Sequence, residues 1–224
     1  RLKSSGIWDS ILCLWWLSAQ NEQASLINVK TPFRHALIPN GAVTFEPLKG
    51  WTSHGNEMHV SGYLDTGYVI DTQNQNSIAM FIWSLDLPAG SGEMGGDNYY
   101  INPKGPAGSG YRARSSSMVT DSIADSGTVP GDFGWSRTSS EAFSMYKNGA
   151  GITDVPREST PPSSATIWIC GWQNTTAGNL INCQYGARRN AFAAITRGLK
   201  AHQVRQFYDL RLEFLRAVGV LPPE

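Results

Sequence analysis

The chain has 224 residues, and its 18 Lys and Arg balance its 18 Asp and Glu, giving a formal net charge of zero. With only 16% of residues charged and no basic surplus, the composition speaks against nucleic acid or an anionic membrane surface as a partner. Eight Trp, eight Tyr and eight Phe among 23 Gly and 12 Pro suit an all-β chain with many turns, and no apolar run is long enough to span a membrane. This length fits one sizeable sandwich domain with a large core. The chain begins at Arg1 rather than Met, which reads as a trimmed product or one piece of a longer protein.

Taken in order, the first apolar segment carries Ile7, Ile11, Leu14, Trp15 and Ser18 at helical spacing, with Ser4 or Ser5 as N-cap. Trp8, Leu12, Trp16 and Ala19 form a second stripe beside it. The spacing therefore predicts a helix over residues 1–20, apolar over most of its girth, that the sandwich or a neighbouring chain must cover. Trp8, Trp15 and Trp16 become candidate subunit contacts. The core of this run, Ile11 to Leu17, is not read as a signal peptide, because no small-residue cleavage site follows it.

Short strand candidates follow, divided by Gly and Pro: Ala42–Phe45, Trp51 and Met58–Leu64. Ser77–Ser84 is apolar throughout and reads as a central strand. Asn98–Asn102, Gly110–Arg114, Ser117–Thr120 and Phe133–Thr138 continue the pattern between loops rich in Gly, Ser and Asp. Ala142–Tyr146 and Ala150–Ile152 flank Asn148-Gly149, the pair that a type I′ hairpin turn selects because both central residues need positive φ. Ala165–Trp172 and Asn190–Ile195 read as buried strands. The closing segment carries Val204, Phe207, Tyr208, Leu212, Leu215 and Val218 and stops at Gly219, before Pro222 and Pro223. It reads as an amphipathic helix over 200–218 whose apolar stripe covers a sheet. The predicted fold is all-β, an antiparallel sandwich over 42–195 with an N-terminal and a C-terminal helix packed on it, in a single domain spanning 1–224.

Several of these runs carry a resemblance. Phe192-Ala-Ala-Ile195, Gly198-Leu199, His202-Gln203-Val204 and Phe207-Tyr208 close the chain. Asn28 and Pro32 precede a strand that leads to Gly62-Tyr-Leu-Asp-Thr-Gly-Tyr68, and Tyr146 leads into the Asn148-Gly149 hairpin. In this order they resemble the laminin-G-like, concanavalin A-like jelly-roll domains of bacteriophage tail-fibre and other virion-surface proteins. The resemblance covers nearly the whole chain, through motifs that are each short. It implies a jelly roll on the virion surface, in tail or capsid, with other virion proteins and host-surface polysaccharide as partners. By analogy with fibres it also implies a homo-oligomer, a trimer.

The residues that carry chemistry are few. Gly90-Ser-Gly92-Glu-Met-Gly95 matches a dinucleotide fingerprint, but turn and strand residues follow it where a phosphate-binding helix is needed. His54, Glu57 and His59 lack metalloprotease spacing, and the two histidines have opposite parity on a strand. Glu57, Glu93, Glu141 and Glu158 stand alone, without the paired carboxylates of a jelly-roll glucanase and without a nucleophile elbow. The chain is therefore read as a non-enzyme, with an unrecognised glycan hydrolase as the last alternative. Three cysteines, Cys13, Cys170 and Cys183, are too few for a disulfide scaffold and read as buried thiols, although Cys170 and Cys183 could pair across neighbouring strands.

What is left is surface recognition. Asp97, Asn98, Tyr99 and Tyr100 in one loop, with Trp172, Gln173 and Asn174 in another, combine ring faces with amides and carboxylates, the composition that binds sugars. The competing reading is that Trp172 packs at a sheet rim while the amides are solvated. No cofactor is expected. Asp97 and Asn98 could offer oxygens to Ca²⁺, as in some related lectin-like folds. Asn174-Thr-Thr is a glycosylation sequon only in a secreted eukaryotic chain. Attachment to a host glycan or receptor is the first expectation, and a purely architectural decoration or fibre domain is the second.

Overall fold

The computed structural model describes residues 2–54, 62–86, 93–105, 110–117, 119–123, 129–173 and 188–223. In chain order the strands are β1 (Ile11–Trp15), β2 (Ile38–Asn40), β3 (Val43–Glu46), β4 (Gly50–Ser53), β5 (Tyr63–Val69), β6 (Ile78–Ser84), β7 (Met94–Gly96) and β8 (Tyr99–Asn102). They continue with β9 (Tyr111–Ser115), β10 (Asp121–Ile123), β11 (Gly131–Arg137), β12 (Ala142–Lys147), β13 (Ala150–Pro156), β14 (Thr166–Ile169), β15 (Gly171–Gln173) and β16 (Arg188–Thr196). A one-turn helix, α1 (Glu22–Leu26), lies near the start, and α2 (Ala201–Ala217) closes the chain.

The strands form two eight-stranded sheets, antiparallel apart from one β15–β7 pairing. The first runs β13-β12-β11-β6-β16-β4-β3, with β1 beside β16, and the second runs β10-β9-β8-β7-β14-β5-β2. Between them lies a core that includes Trp15, Trp51, Met80, Phe133, Trp135, Tyr99 and Tyr111. As its apolar run requires, β6 is central and wholly buried, paired with β11 on one side and β16 on the other. The hairpin also forms as expected: Asn148 and Gly149 have φ of 50° and 72°, and β12 pairs with β13.

The N-terminal helix does not form. Residues 7–10 make a short 3-10 turn, and Ile11–Trp15 is a strand paired antiparallel with β16. Its misleading periodicity has a physical cause. Cys13 and Trp15 enter the core between the sheets, while Ile11 and Leu14 enter a second core under α2. A strand buried on both faces is apolar all round, as a buried helix would be. The sandwich therefore begins at Ile11 rather than at residue 42. Two further strands differ from expectation. Ala165–Trp172 is broken at Cys170, whose φ is 65°, into β14 and β15. The short strand expected at Ser117–Thr120 lies instead at Asp121–Ile123. Cys13 and Cys170 are both buried, and Cys183 lies outside the described residues.

The C-terminal helix forms where the stripe places it and stops before Gly219, whose φ is 77°. Val204, Phe207 and Leu215 are buried against Phe81, Trp83 and Phe192 of the first sheet. Phe81 meets Phe207 edge-on at 5.5 Å, and Trp83 stacks on Tyr208 at 5.5 Å. In the middle of this apolar stripe stands Arg211, with no solvent exposure. It donates to both carboxylate oxygens of Asp132 on β11, at 2.6 and 2.8 Å, and to the carbonyl of Phe207 at 3.1 Å. The rings of Phe81, Phe192 and Phe207 flank its guanidinium at 5.0, 4.9 and 4.2 Å.

Removing one partner of such a pair leaves an uncompensated charge in a dry interface. Asp132→Asn is expected to lower stability by about 3–5 kcal/mol in urea unfolding, while Asp132→Asn with Arg211→Met recovers much of the loss. Burial pushes the Cys13 thiol up to about 12, against a smaller opposing effect of its hydrogen bond with Asn28. Cys13 should therefore resist iodoacetamide in the native protein and react once unfolded, as peptide mass spectrometry would show.

Candidate functional site

On β8 and β9 the side chains alternate between the core and the outer face of the second sheet. Tyr99, Ile101, Tyr111 and Ala113 point inward, so Tyr100, Arg112 and Arg114 point outward. Strand register then lines up Arg114, Tyr100, Gly95, Trp168 and Asp65 in one row across β9, β8, β7, β14 and β5. The turn at Cys170 swings β15 back alongside β7 and sets Trp172 level with Gly95. Tyr100 and Trp172 stack with centroids 5.4 Å apart, and further along the row Tyr63 stacks on Trp168 at 3.8 Å.

Arg114 joins the first of these pairs. Its guanidinium carbon lies 5.2 Å from the Tyr100 ring and 5.3 Å from that of Trp172. Nε donates to Thr120 Oγ1 at 2.8 Å and Nη1 to the Asp97 carbonyl at 3.2 Å. The Tyr100 hydroxyl reaches the same Thr120 oxygen at 3.3 Å. Burial holds Arg114 below the usual arginine range; Arg112 two residues away pushes in the same direction, and Tyr100 and Asp97 oppose it. From behind, Trp135 Nε1 donates to the Tyr100 carbonyl at 3.2 Å, and the Tyr111 hydroxyl donates to the Gly134 carbonyl at 2.7 Å. These two bonds tie the strands that carry the cluster to the opposite sheet.

The residues expected from sequence divide between this cluster and the interior. Tyr100 and Trp172 belong to the cluster; Trp172 is half-buried and Tyr100 is 4% exposed. Asp97 is buried at the β7–β8 turn with φ 36°, and its N–H donates to the Gln173 carbonyl at 2.6 Å. Asn98 is buried, and its amide donates to Thr160 Oγ1 and to the Pro161 carbonyl. Tyr99 lies between the sheets, its hydroxyl on Ser116 at 3.1 Å, because neighbours on a strand face opposite ways. Asn98 and Tyr99 are thus buried and bonded within the fold rather than presented with Tyr100 and Trp172. The side-chain oxygen of Gln173 accepts from Thr166, through its N–H at 2.9 Å and its hydroxyl at 3.3 Å. Asn174 lies outside the described residues.

Other expectations are settled by placement. Among the described residues no three His, Cys, Asp or Glu come together as a metal site. Met94–Gly96 is a strand, not the start of a phosphate-binding helix. His54 bonds Thr44, while Glu57 and His59 lie outside the described residues. Trp15 is wholly buried, its indole N–H on the His35 carbonyl, and cannot touch a neighbouring subunit. Trp8 and Trp16 are half-buried and, with Leu2, Leu210 and Phe214, line a groove of about 470 Å³ beside α2.

No protein family matches the sequence, and no curated protein does. Solved structures do match. The binding domain of botulinum neurotoxin serotype D aligns at a TM-score of 0.58 and 12% identity, over 92% of this chain and 53% of that one. A structure of botulinum neurotoxin type C, whose cell entry depends upon interaction with two ganglioside molecules, aligns at 0.58 and 12%, over 92% and 52%. Domain 4 of AbnA, a GH43 extracellular arabinanase from Geobacillus stearothermophilus, solved with arabinotriose, aligns at 0.54 and 13%, over 89% and 98%. At these identities the likeness is one of fold. The chain spans about half the length of the neurotoxin chains and nearly all of the arabinanase domain.

Loop composition, which singles out Asp97–Tyr100 and Trp172–Asn174, does not reach Arg112, Arg114, Thr120 or the Tyr63–Trp168 pair. Alternation in Tyr111-Arg-Ala-Arg114 is the signal that places both arginines on one face. The row depends on Gly95, where an added Cβ would lie 2.3 Å from the Tyr99 carbonyl oxygen and 2.4 Å from Tyr100 Cβ. Gly95→Ala should cost about 1–3 kcal/mol in urea unfolding and alter the near-ultraviolet circular dichroism of the displaced aromatic rings.

Proposed function

We propose that the chain is a non-enzymatic recognition module that binds a glycan on a cell surface, and that it serves a bacteriophage virion in attachment to its host. The observation that carries this reading is the half-buried Trp172, stacked on Tyr100 and braced by Arg114 on the outer face of the second sheet. A flat ring held in place covers the apolar face of a pyranose at little entropic cost, and neighbouring polar groups bond its hydroxyls. Sandwiches of the same fold supply precedents, in a neurotoxin dependent on gangliosides and an arabinanase domain holding arabinotriose. The virion setting rests on the sequence resemblance.

An architectural module making contacts between virion subunits is the second reading. The groove lined by Trp8, Trp16 and Phe214 favours it, since Trp16 and Phe214 stack at 4.0 Å there and Phe214 is 38% exposed.

The two readings separate on binding of the purified domain to host cells and to their surface polysaccharides. Attachment predicts saturable binding that Trp172→Ala lowers at least tenfold, with the urea midpoint nearly unchanged. Binding untouched by Trp172→Ala would remove this face from the function. A well-folded domain that binds neither cells nor polysaccharide, but loses self-assembly on Trp16→Ser, would transfer the role to the groove.

A further inference from the structure

The arginines on β9 distinguish this aromatic face from one built for a neutral sugar. Arg112 and Arg114 leave the strand on the same side, two residues apart, opposite Ser122 on β10 and Tyr100 on β8. Ion pairs among the described residues join Arg157 to Asp121, Lys49 and Arg189 to Glu46, Arg205 to Asp209 and Arg211 to Asp132, and none of them takes in Arg112 or Arg114. Two cations thus stand side by side on one face with no ion pair to either among the described residues; Arg112 pushes Arg114 further below the usual arginine range, while Tyr100 and Asp97 act the other way.

Arg114 is held as a binding group is held. Two rings flank it, and Nε and Nη1 are anchored by Thr120 and by the Asp97 carbonyl. Its Nη2 donates to no described residue. The Arg114 side chain is half-buried, so part of it stays exposed. This part of a fixed, partly desolvated guanidinium is therefore available to an incoming acceptor. A fixed guanidinium loses little side-chain entropy on binding, and its bonds to a carboxylate are stronger than those to a hydroxyl.

We infer that the Trp172–Tyr100–Arg114 face takes an acidic glycan, with the carboxylate of a uronic or sialic acid on Arg114 and Arg112 and the adjoining sugar ring against Trp172. The inference rests on the reading of this face as glycan-binding and adds the charge of the ligand. One bound carboxylate would bridge the two arginines and relieve their mutual repulsion.

The test uses the purified domain and three polymers, polygalacturonate, alginate and polysialate, each beside its carboxyl-reduced form, which keeps the sugar rings and removes the charge. Binding of at least one acidic form, lost on reduction and weakened by salt, is the expected result. Arg114→Gln should weaken it by about ten- to hundredfold, the worth of a charge-assisted hydrogen bond, and Arg114→Lys should restore only part. Arg112→Gln, at a half-buried position without a described hydrogen bond, serves as the variant that keeps the fold and still loses affinity. Equal binding of the acidic and reduced forms would overturn the inference while leaving a neutral-glycan module in place. Binding to none of the acidic forms would overturn it as well, and binding to cells and neutral polysaccharide would then decide the broader reading on its own.

Discussion

The bidentate pair between Arg211 and Asp132 fixes how the layers of this protein stack. It sits in a dry interface, where each charge without the other would carry a large desolvation penalty, so α2 has one seat on the first sheet. Three phenylalanine rings close round the guanidinium. Once α2 is docked, the central strands β6 and β11 of the first sheet are buried on both faces, by the sandwich core on one side and the helix on the other. The aromatic row lies on the outer face of the second sheet, where Trp172 and Arg114 are half-buried and Tyr100 and Trp168 are buried.

A second buried cation solves the same problem without a carboxylate. Arg137, at the end of β11, is fully buried and gives its hydrogens to the carbonyls of Ser115, Ser139, Ser140 and Arg157. Ser115 ends β9, one residue beyond Arg114. The bond from the first sheet to Ser115 therefore fixes the backbone behind the cluster, together with those from Trp135 to Tyr100 and from Tyr111 to Gly134. Rigidity on the inner side of the sheet is what lets side chains on the outer side hold a defined geometry.

Legibility in the sequence follows local physics. The Asn148-Gly149 hairpin, the apolar β6 and the stripe of α2 are each set by turn chemistry or periodicity within a few residues, and each forms as expected. Ile11–Trp15 reads as helix in the sequence because a strand buried on both faces loses the alternation that marks a strand. Of the residues that loop composition points to, Tyr100 and Trp172 meet on the outer face of the second sheet, and Tyr99 lies between the sheets. Alternation sends Tyr100 outward and Tyr99 inward, and composition carries no sign of which.

By itself, then, the sequence determined an all-β domain capped by a C-terminal helix, because apolar period and turn residues act over short range. It also singled out Tyr100 and Trp172, the two rings of the cluster. Tertiary structure alone decided that Arg211 would lie in the middle of an apolar stripe, since its partner Asp132 is 79 residues away in sequence. The pairing of Tyr100 with Trp172 across β7 and the closure of Arg114 over both were decided in the same way. Cross-strand register and the left-handed turn at Cys170 bring these groups together, and both are fixed only when the sheets close on their shared core.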